Sequence, residues 1–125
     1  MTTVLNIDDN ESNRRLIVRI VAMRPHLTLL EAATGQEGLS LATAHRPGLI
    51  LLDKNLPDLH GSEVLATLQA DPSLRAIPVI ILTAEASRDA AARFLAAGAD
   101  DYVVKPIDIP RLLALLDEYL PAGSG

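Results

Sequence analysis

Polar side chains that could carry chemistry follow several apolar segments of this sequence. Two adjacent carboxylates, Asp8 and Asp9, come directly after the first segment, and Asp53 comes after another. Thr83 and Lys105 follow two further apolar segments. Three carboxylates held close together repel one another, so at least one would be pushed toward protonation. If the fold brings these side chains together, positive charge is needed to offset them.

The residue types indicate how that charge could be supplied and what it could serve. Lys105 can offset one carboxylate, and a divalent cation can offset two more. Oxygen ligands without cysteine or clustered histidine favour Mg²⁺, with Mn²⁺ as the alternative. The Thr83 hydroxyl and the Lys105 ammonium suit phosphoryl oxygens, and a carboxylate can accept a phosphoryl group covalently. The set therefore suggests an aspartyl phosphate.

Five strand patterns and five helix patterns alternate along the chain and must position these residues. Leu49–Asp53 is a short apolar run ending in a carboxylate, and it predicts a strand buried on both faces. The other strands are predicted over 4–7, 27–32, 78–82 and 102–104. The helices are predicted from the polar cluster 8–13 to Arg24, from Gly35 to His45, from Gly61 to Asp71, from Ser87 to Gly98 and from Asp108 to Leu120.

Two local patterns support these helices. Leu16, Ile20 and Met23 recur at helical spacing and predict one buried stripe on the first helix. Thr34 and Glu37 have the Thr-x-x-Glu spacing of a capping box at the start of the second helix. Both patterns place helix starts directly after the strand ends that carry polar residues.

Strict alternation with short loops predicts an α/β fold, a doubly wound parallel sheet with helices on both faces. In a sheet of order 2-1-3-4-5, the first and third strands are neighbours where the strand order reverses, which is where ligands bind. Asp8, Asp9 and Asp53 end those two strands. The predicted fold therefore gathers the three carboxylates at one edge, flanked by Thr83 and Lys105.

Length and composition restrict the organisation and the partners. The 125 residues, 49% of them hydrophobic, predict a single domain over 1–125, with a core from about 3 to 120 and a tail or linker over 121–125. The net charge of -5 argues against direct nucleic-acid binding. Because there is no cysteine and no apolar run near the roughly eighteen residues that span a bilayer, we expect a cytoplasmic protein without a membrane partner. His26, His45 and His60 lie in or near predicted loops, where we expect them to face solvent.

The set of motifs resembles the receiver domain of two-component response regulators, the CheY-like domain. The matching residues are Asp8-Asp9, Asp53 with Pro57 and Gly61, Thr83-Ala84, and Tyr102-Val103-Val104-Lys105-Pro106. The order and spacing of these motifs match those of the family over roughly residues 3 to 120. The combination identifies the family more specifically than any single motif does. The resemblance implies a flavodoxin-like fold.

The resemblance also implies roles for the acidic residues. Asp53 would accept a phosphoryl group from a histidine phosphate. Asp9, Asp53 and the backbone carbonyl of Asn55 would bind Mg²⁺ or Mn²⁺ directly, and Asp8 would act largely through water. Asp53 is thereby expected to be both phosphoacceptor and metal ligand.

Further residues would sense the phosphoryl group. Thr83 and Lys105 would contact its oxygens, and Tyr102 would change rotamer as Thr83 moves. Lys105-Pro106 is expected to be a cis peptide, which is physically plausible because the second residue is proline. Taken alone, Tyr102 would be an ordinary edge-strand aromatic, and that alternative stays open.

The implied function is a phosphorylation-controlled binding switch in a phosphorelay, not an enzyme. The donor would be a sensor histidine kinase or a histidine phosphotransfer protein, and the face made by helix four, strand five and helix five would change its partner preference. The downstream partner stays open, as do a weak dimer and an origin as a stand-alone receiver or a piece of a hybrid histidine kinase.

A few positions depart from the usual pattern or invite tuning. Lys54, directly after the acceptor, is more often apolar, and His60 stands where an acidic residue is frequent. Asn55 and Glu85, two places after Asp53 and Thr83, can hydrogen-bond a hydrolytic water and are candidates for tuning the phosphate lifetime.

Two other functions compete with the switch. A Mg²⁺-dependent phosphatase acting through an aspartyl phosphate usually needs a second carboxylate two residues after the nucleophile, and Asn55 stands there. The other is a receiver that binds proteins without being phosphorylated. The presence of all three aspartates, Asp8, Asp9 and Asp53, argues against a receiver that is not phosphorylated.

Overall fold

In a computed structural model that describes residues 2–122, strands and helices alternate from end to end. They are β1 (Thr2–Ile7), α1 (Glu11–Ala22), β2 (Leu27–Ala32), α2 (Gly35–His45), β3 (Leu49–Asp53), α3 (Gly61–Ala70), β4 (Val79–Thr83), α4 (Arg88–Ala96), β5 (Asp101–Val104) and α5 (Ile109–Tyr119). The predicted tail beyond Ala122 lies outside the described residues. Within residues 2–122, no helix is both long and apolar enough to cross a membrane.

The strands form one parallel sheet of order β2-β1-β3-β4-β5. This confirms the predicted fold class. Because β1 and β3 are adjacent while β2 lies on the far side of β1, the strand order reverses between β1 and β3. The carboxyl ends of those two strands therefore border the crevice where doubly wound sheets bind ligands.

The core consists of two apolar layers, one on each face of the sheet. Leu49 and Leu51 of β3 pack with α1 and α5 in one layer, and Ile50 and Leu52 pack with α2, α3 and α4 in the other. Every residue of β3 is buried. The helices on both faces are confirmed, and β3 is a rigid support for the residue at its end.

Helix starts follow the predicted capping chemistry with one difference. The Thr34 hydroxyl accepts a hydrogen bond from the Glu37 amide at 3.1 Å. The Glu37 carboxylate accepts from the amide of Ala33 at 2.7 Å, one residue before the position that a capping box uses. The pair therefore holds the β2–α2 turn as well as the helix end.

The predicted buried stripe on the first helix is wrong at one position. Met23 is 49% exposed, whereas Ile17, Ile20 and Val21 are buried. The physical reason is that α1 ends at Ala22 and Met23 is the residue that caps it. The helical period no longer applies beyond that point.

Candidate functional site

The register between β1 and β3 brings the acidic residues together. Ile7 pairs with Leu52, so the residues that follow them, Asp8 and Asp53, lie side by side at the carboxyl ends of β1 and β3. Carboxylate oxygens of Asp8, Asp9 and Asp53 all lie within 4.8 Å of one another. The structure thus has an acidic cluster at the crevice where the strand order reverses.

The cluster is closed on one side and open on the other. Asp8 is fully buried and Asp53 is 7% exposed, whereas Asp9 is exposed. Oδ1 of Asp8 accepts a hydrogen bond from the Asn10 amide at 2.9 Å, and Arg14 Nη1 donates to the Asp8 backbone carbonyl at 2.9 Å. These bonds fix Asp8, while Asp9 leaves the cluster accessible from solvent.

Lys105, the residue directly after β5, supplies positive charge to the acidic cluster. Its Nζ donates to Asp53 Oδ1 at 2.8 Å and lies 3.5 Å from Asp8 Oδ2. Its backbone amide donates to the Thr83 carbonyl at 2.7 Å, which extends the pairing of β4 and β5 by one residue. The peptide bond between Lys105 and Pro106 is cis, as expected.

The Asp53 carboxyl experiences opposing effects. Burial raises its pKa above the ordinary value, the hydrogen bond from Lys105 lowers it, and the negative charges of Asp8 and Asp9 raise it again. The net direction is upward, so the charge of one lysine does not balance the cluster. Three clustered oxygen donors that lack sufficient positive charge fit a hard divalent cation such as Mg²⁺ or Mn²⁺.

Thr83 ends β4 next to the acceptor strand. It is buried, and its Oγ1 accepts a hydrogen bond from the Glu85 amide at 3.1 Å. A hydroxyl that accepts one hydrogen bond keeps its own proton to donate. Thr83 is therefore able to donate to a further oxygen.

The Tyr102 side chain packs toward the protein interior and is bonded to the loop between β4 and α4. Its hydroxyl donates to the Glu85 backbone carbonyl at 2.6 Å, and its ring packs 6.1 Å from that of Phe94 on α4. Although β5 is an edge strand, the side chain is only partly exposed. In this structure Tyr102 is thus a partner of the β4–α4 loop.

The loop after Asp53 folds back over the end of β3. The Gly61 amide donates to the Lys54 carbonyl at 2.6 Å, and Asn55 forms an isolated bridge with His60. A Cβ on Gly61 would lie 2.9 Å from the Asp53 carbonyl oxygen, closer than real contacts allow. Only glycine therefore lets α3 begin this close to Asp53, and Asn55 is exposed in the same loop.

Two histidines differ from the prediction that they face solvent. His60 is partly buried: its Nδ1 accepts from the Ser62 amide at 3.1 Å at the start of α3, and its ring stacks 6.3 Å from that of Phe94. His26 is partly buried and bonds the Leu120 carbonyl through Nε2 at 2.9 Å. His45 is exposed, as predicted. His60 is the N-cap of α3, a role that its residue type does not predict, since Ser, Thr, Asp and Asn are the usual N-cap residues.

An ion pair between Lys54 and Glu85 was also not foreseen. The two residues are 31 positions apart, and their side chains are 20% and 37% exposed. The pair joins the residue after Asp53 to the residue two places after Thr83. The unusual Lys54 thus has a defined partner.

Comparison with known proteins decides the family. The profile described as "Response regulator receiver domain" matches residues 4–117. The chain belongs to this family. As a response regulator receiver domain, it is a regulatory component of two-component signalling.

Individual relatives agree with this assignment. The polar-differentiation response regulator DivK of Brucella anthropi is 38% identical over 118 residues, covering 94% of this chain and 95% of that protein. The chemotaxis response regulator CheY4 of Vibrio cholerae is 29% identical with a TM-score of 0.87, covering 96% of this chain and 99% of that one. The Mn²⁺-bound form of response regulator Rcp1 has a TM-score of 0.87 at 24% identity, covering 99% and 98%, a likeness of fold alone.

Proposed function

We propose that Asp53 is the phosphoacceptor of a two-component phosphorelay. The supporting observation is that its carboxylate ends a fully buried central strand, inside the acidic cluster and 2.8 Å from Lys105 Nζ. The donor is a phosphohistidine on a sensor histidine kinase or a histidine phosphotransfer protein. The proposal treats residues 1–125 as one receiver domain and places it in the cytoplasm, where such kinases use ATP.

The proposed reaction is an in-line displacement at phosphorus. One Asp53 carboxylate oxygen forms the new O–P bond as the P–N bond of the phosphohistidine breaks, and the released imidazole nitrogen takes a proton from solvent. Lys105 then has phosphoryl oxygens to pair with in addition to the carboxylate. Thr83, whose hydroxyl retains its proton, donates to another phosphoryl oxygen.

A divalent cation fits the donor set of this site. Asp8, Asp9 and Asp53, together with the backbone carbonyl of Asn55, would hold Mg²⁺ or Mn²⁺, with Asp8 acting largely through water. When bound, the cation supplies positive charge that offsets the carboxylates and the phosphoryl oxygens. The raised pKa of Asp53 is consistent with this, because burial and, to a smaller extent, the charges of Asp8 and Asp9 disfavour its ionised form, and a cation would favour that form.

The proposed output is a change at the face formed by α4, β5 and α5. Thr83 and Tyr102 both form hydrogen bonds with the Glu85 backbone. A shift of the Thr83 hydroxyl would therefore move Glu85 and alter the hydrogen bond of Tyr102. Large apolar side chains are exposed on these elements: Leu95 47%, Val104 37% and Ile109 36%. Such side chains suit a protein partner whose binding depends on phosphorylation. Asn55 and Glu85 are proposed to tune the phosphate lifetime.

The test is phosphorylation by a small phosphodonor in the presence of Mg²⁺. Intact mass should show one added, base-labile phosphoryl group on the native chain and none on Asp53→Asn. Asp89→Asn, a change of an exposed aspartate on α4, is the matched control and should be phosphorylated normally. No adduct with either a small donor or a histidine phosphate would overturn the proposal and favour a receiver that binds proteins without phosphorylation.

A further inference from the structure

The Lys54 side chain contacts a different part of the molecule from the Asp53 side chain, which lies in the acidic cluster. Lys54 is the first residue after β3, where the chain bends toward α3. Lys54 lines a cleft between α3 and α4 together with His60 and Phe94. Its ammonium pairs there with the Glu85 carboxylate. The ion pair is thus next to the acceptor in sequence but separate from the acidic cluster.

Glu85 is held at three points, each by a residue near the site. Its carboxylate pairs with Lys54, its amide donates to the Thr83 hydroxyl at 3.1 Å, and its carbonyl accepts from the Tyr102 hydroxyl at 2.6 Å. The last two bonds use the backbone, so their geometry depends on where the loop lies. The Lys54 contact is the one that fixes Glu85 through its side chain.

Among residues 2–122, the loop between β4 and α4 has one further side-chain bond: the Ser87 hydroxyl accepts from the Ala90 amide at 3.3 Å where α4 begins. Its other residues, Ala84, Ala86 and Ser87, are exposed. A segment with few buried apolar contacts opens at low free-energy cost unless polar contacts hold it. An ion pair with side chains 20% and 37% exposed is screened less than one on the open surface, so it can hold this loop.

We propose that Lys54 is a positioning residue that anchors Glu85 and thereby holds Thr83 and Tyr102 in the arrangement seen here. If Asp53 is the phosphoacceptor proposed above, Lys54 also biases the state of the switch, and only this consequence rests on the proposed function. The anchoring itself is a property of the unphosphorylated chain. Losing Lys54 frees the loop, weakens both backbone bonds of Glu85 and lets Tyr102 leave its inward position.

The test is a double-mutant cycle on the unphosphorylated protein with Lys54→Met and Glu85→Gln, which remove the charges while nearly keeping the shapes. The protection of the amide at position 85, which is its exchange rate relative to that of the unfolded chain of the same variant, should fall about threefold to tenfold in each single variant. The double variant should lose no more protection than either single one. Arg15→Met, which breaks the exposed Glu11–Arg15 pair on α1, is the control and should leave the protection unchanged.

A second measurement, on Tyr102, distinguishes a positioning role of Lys54 from a general contribution of Lys54 to stability. The chain has two tyrosines, so fluorotyrosine labelling gives two ¹⁹F signals, and Tyr119→Phe assigns the one from Tyr102. Lys54→Met should move the Tyr102 signal toward that of a solvent-exposed ring, and Lys54→Arg should restore it. Unchanged protection and an unchanged Tyr102 signal, or additive effects of the two substitutions, would overturn the proposal. Neither readout needs a phosphodonor, so both remain valid if Asp53 accepts no phosphoryl group.

Discussion

The Nζ atom of Lys105 lies 2.8 Å from Oδ1 of Asp53 and 3.5 Å from Oδ2 of Asp8. This contact joins the end of β5 to the end of β3 across the intervening β4. It puts one cation beside three carboxylates in a setting where Asp8 and Asp53 are almost free of solvent. One lysine therefore stands beside three carboxylates, and the charge of the cluster is not balanced.

Removing the lysine should raise the pKa of Asp53 further. Lys105→Met deletes both the hydrogen bond and the charge that lower that pKa, while burial and the neighbouring carboxylates continue to raise it. Carboxyl ¹³C chemical shifts followed through a pH titration would measure the change. Arg111→Met, which breaks a pair with Asp101 at 3.1 Å on the far end of β5, should leave the Asp53 titration unaltered.

Neutralising Asp53 should stabilise the fold. Because the folded-state pKa of Asp53 is raised, ionisation of this carboxyl disfavours folding at neutral pH. Asp53→Asn should therefore increase the free energy of unfolding at pH 7 by on the order of 1 kcal/mol. The advantage should shrink as the pH falls through the raised pKa toward 3.8, since the native carboxyl is then protonated. Urea unfolding at several pH values measures this, and a constant difference would contradict it.

A divalent cation should stabilise the native chain through the acidic cluster. Mg²⁺ at about a hundredfold excess over its Kd should add about 2.7 kcal/mol to the free energy of unfolding. Asp9→Asn removes a cluster carboxylate that is exposed, so it should weaken this response with little change in stability without metal. Thermal unfolding with and without Mg²⁺ makes the comparison. Equal responses of both proteins would exclude Asp9 from the metal site.

Ionisation of Asp58 should stabilise the fold, whereas ionisation of Asp53 should destabilise it. Its carboxylate accepts hydrogen bonds from the amides of Gly35 and Gln36, at 2.8 and 2.9 Å, at the start of α2. These bonds lower its pKa below the ordinary 3.8, the Gln36 bond most. The contribution is present above 3.8 and is lost as the pH falls through the lowered folded-state value.

Asp58→Asn should accordingly lower Tm at pH 7 and have a smaller effect in strong acid. Asp89→Asn, in the first turn of α4, serves as the comparison. If the Tm difference between the native chain and Asp58→Asn stayed the same down to acid pH, the capping role of the charged carboxylate would be wrong.

The sequence predicts the fold and the acidic cluster because both depend on local patterns. The apolar run before Asp53 predicts a strand buried on both faces, and alternation with helices places Asp8 and Asp9 beside it. These patterns act over a few residues, so they can be recognised without coordinates. The resulting strand order is confirmed.

What the sequence does not predict are contacts set by the path of loops. The Lys54–Glu85 pair joins residues 31 positions apart, and Asp58 reaches a helix start 23 positions away. No periodicity links such partners. The burial of His60 depends likewise on where Phe94 of α4 packs, a position that tertiary packing determines.

The most direct test of the account is to locate the acyl phosphate on the chain. The protein is incubated with a phosphohistidine-carrying phosphotransfer protein and Mg²⁺, and then treated with borohydride, which reduces an aspartyl phosphate to homoserine. Peptide mass spectrometry should find this conversion at Asp53 in the native chain and at no residue in Asp53→Asn. Conversion at Asp8 or Asp9, or none anywhere, would contradict the assignment of Asp53 as the phosphoacceptor.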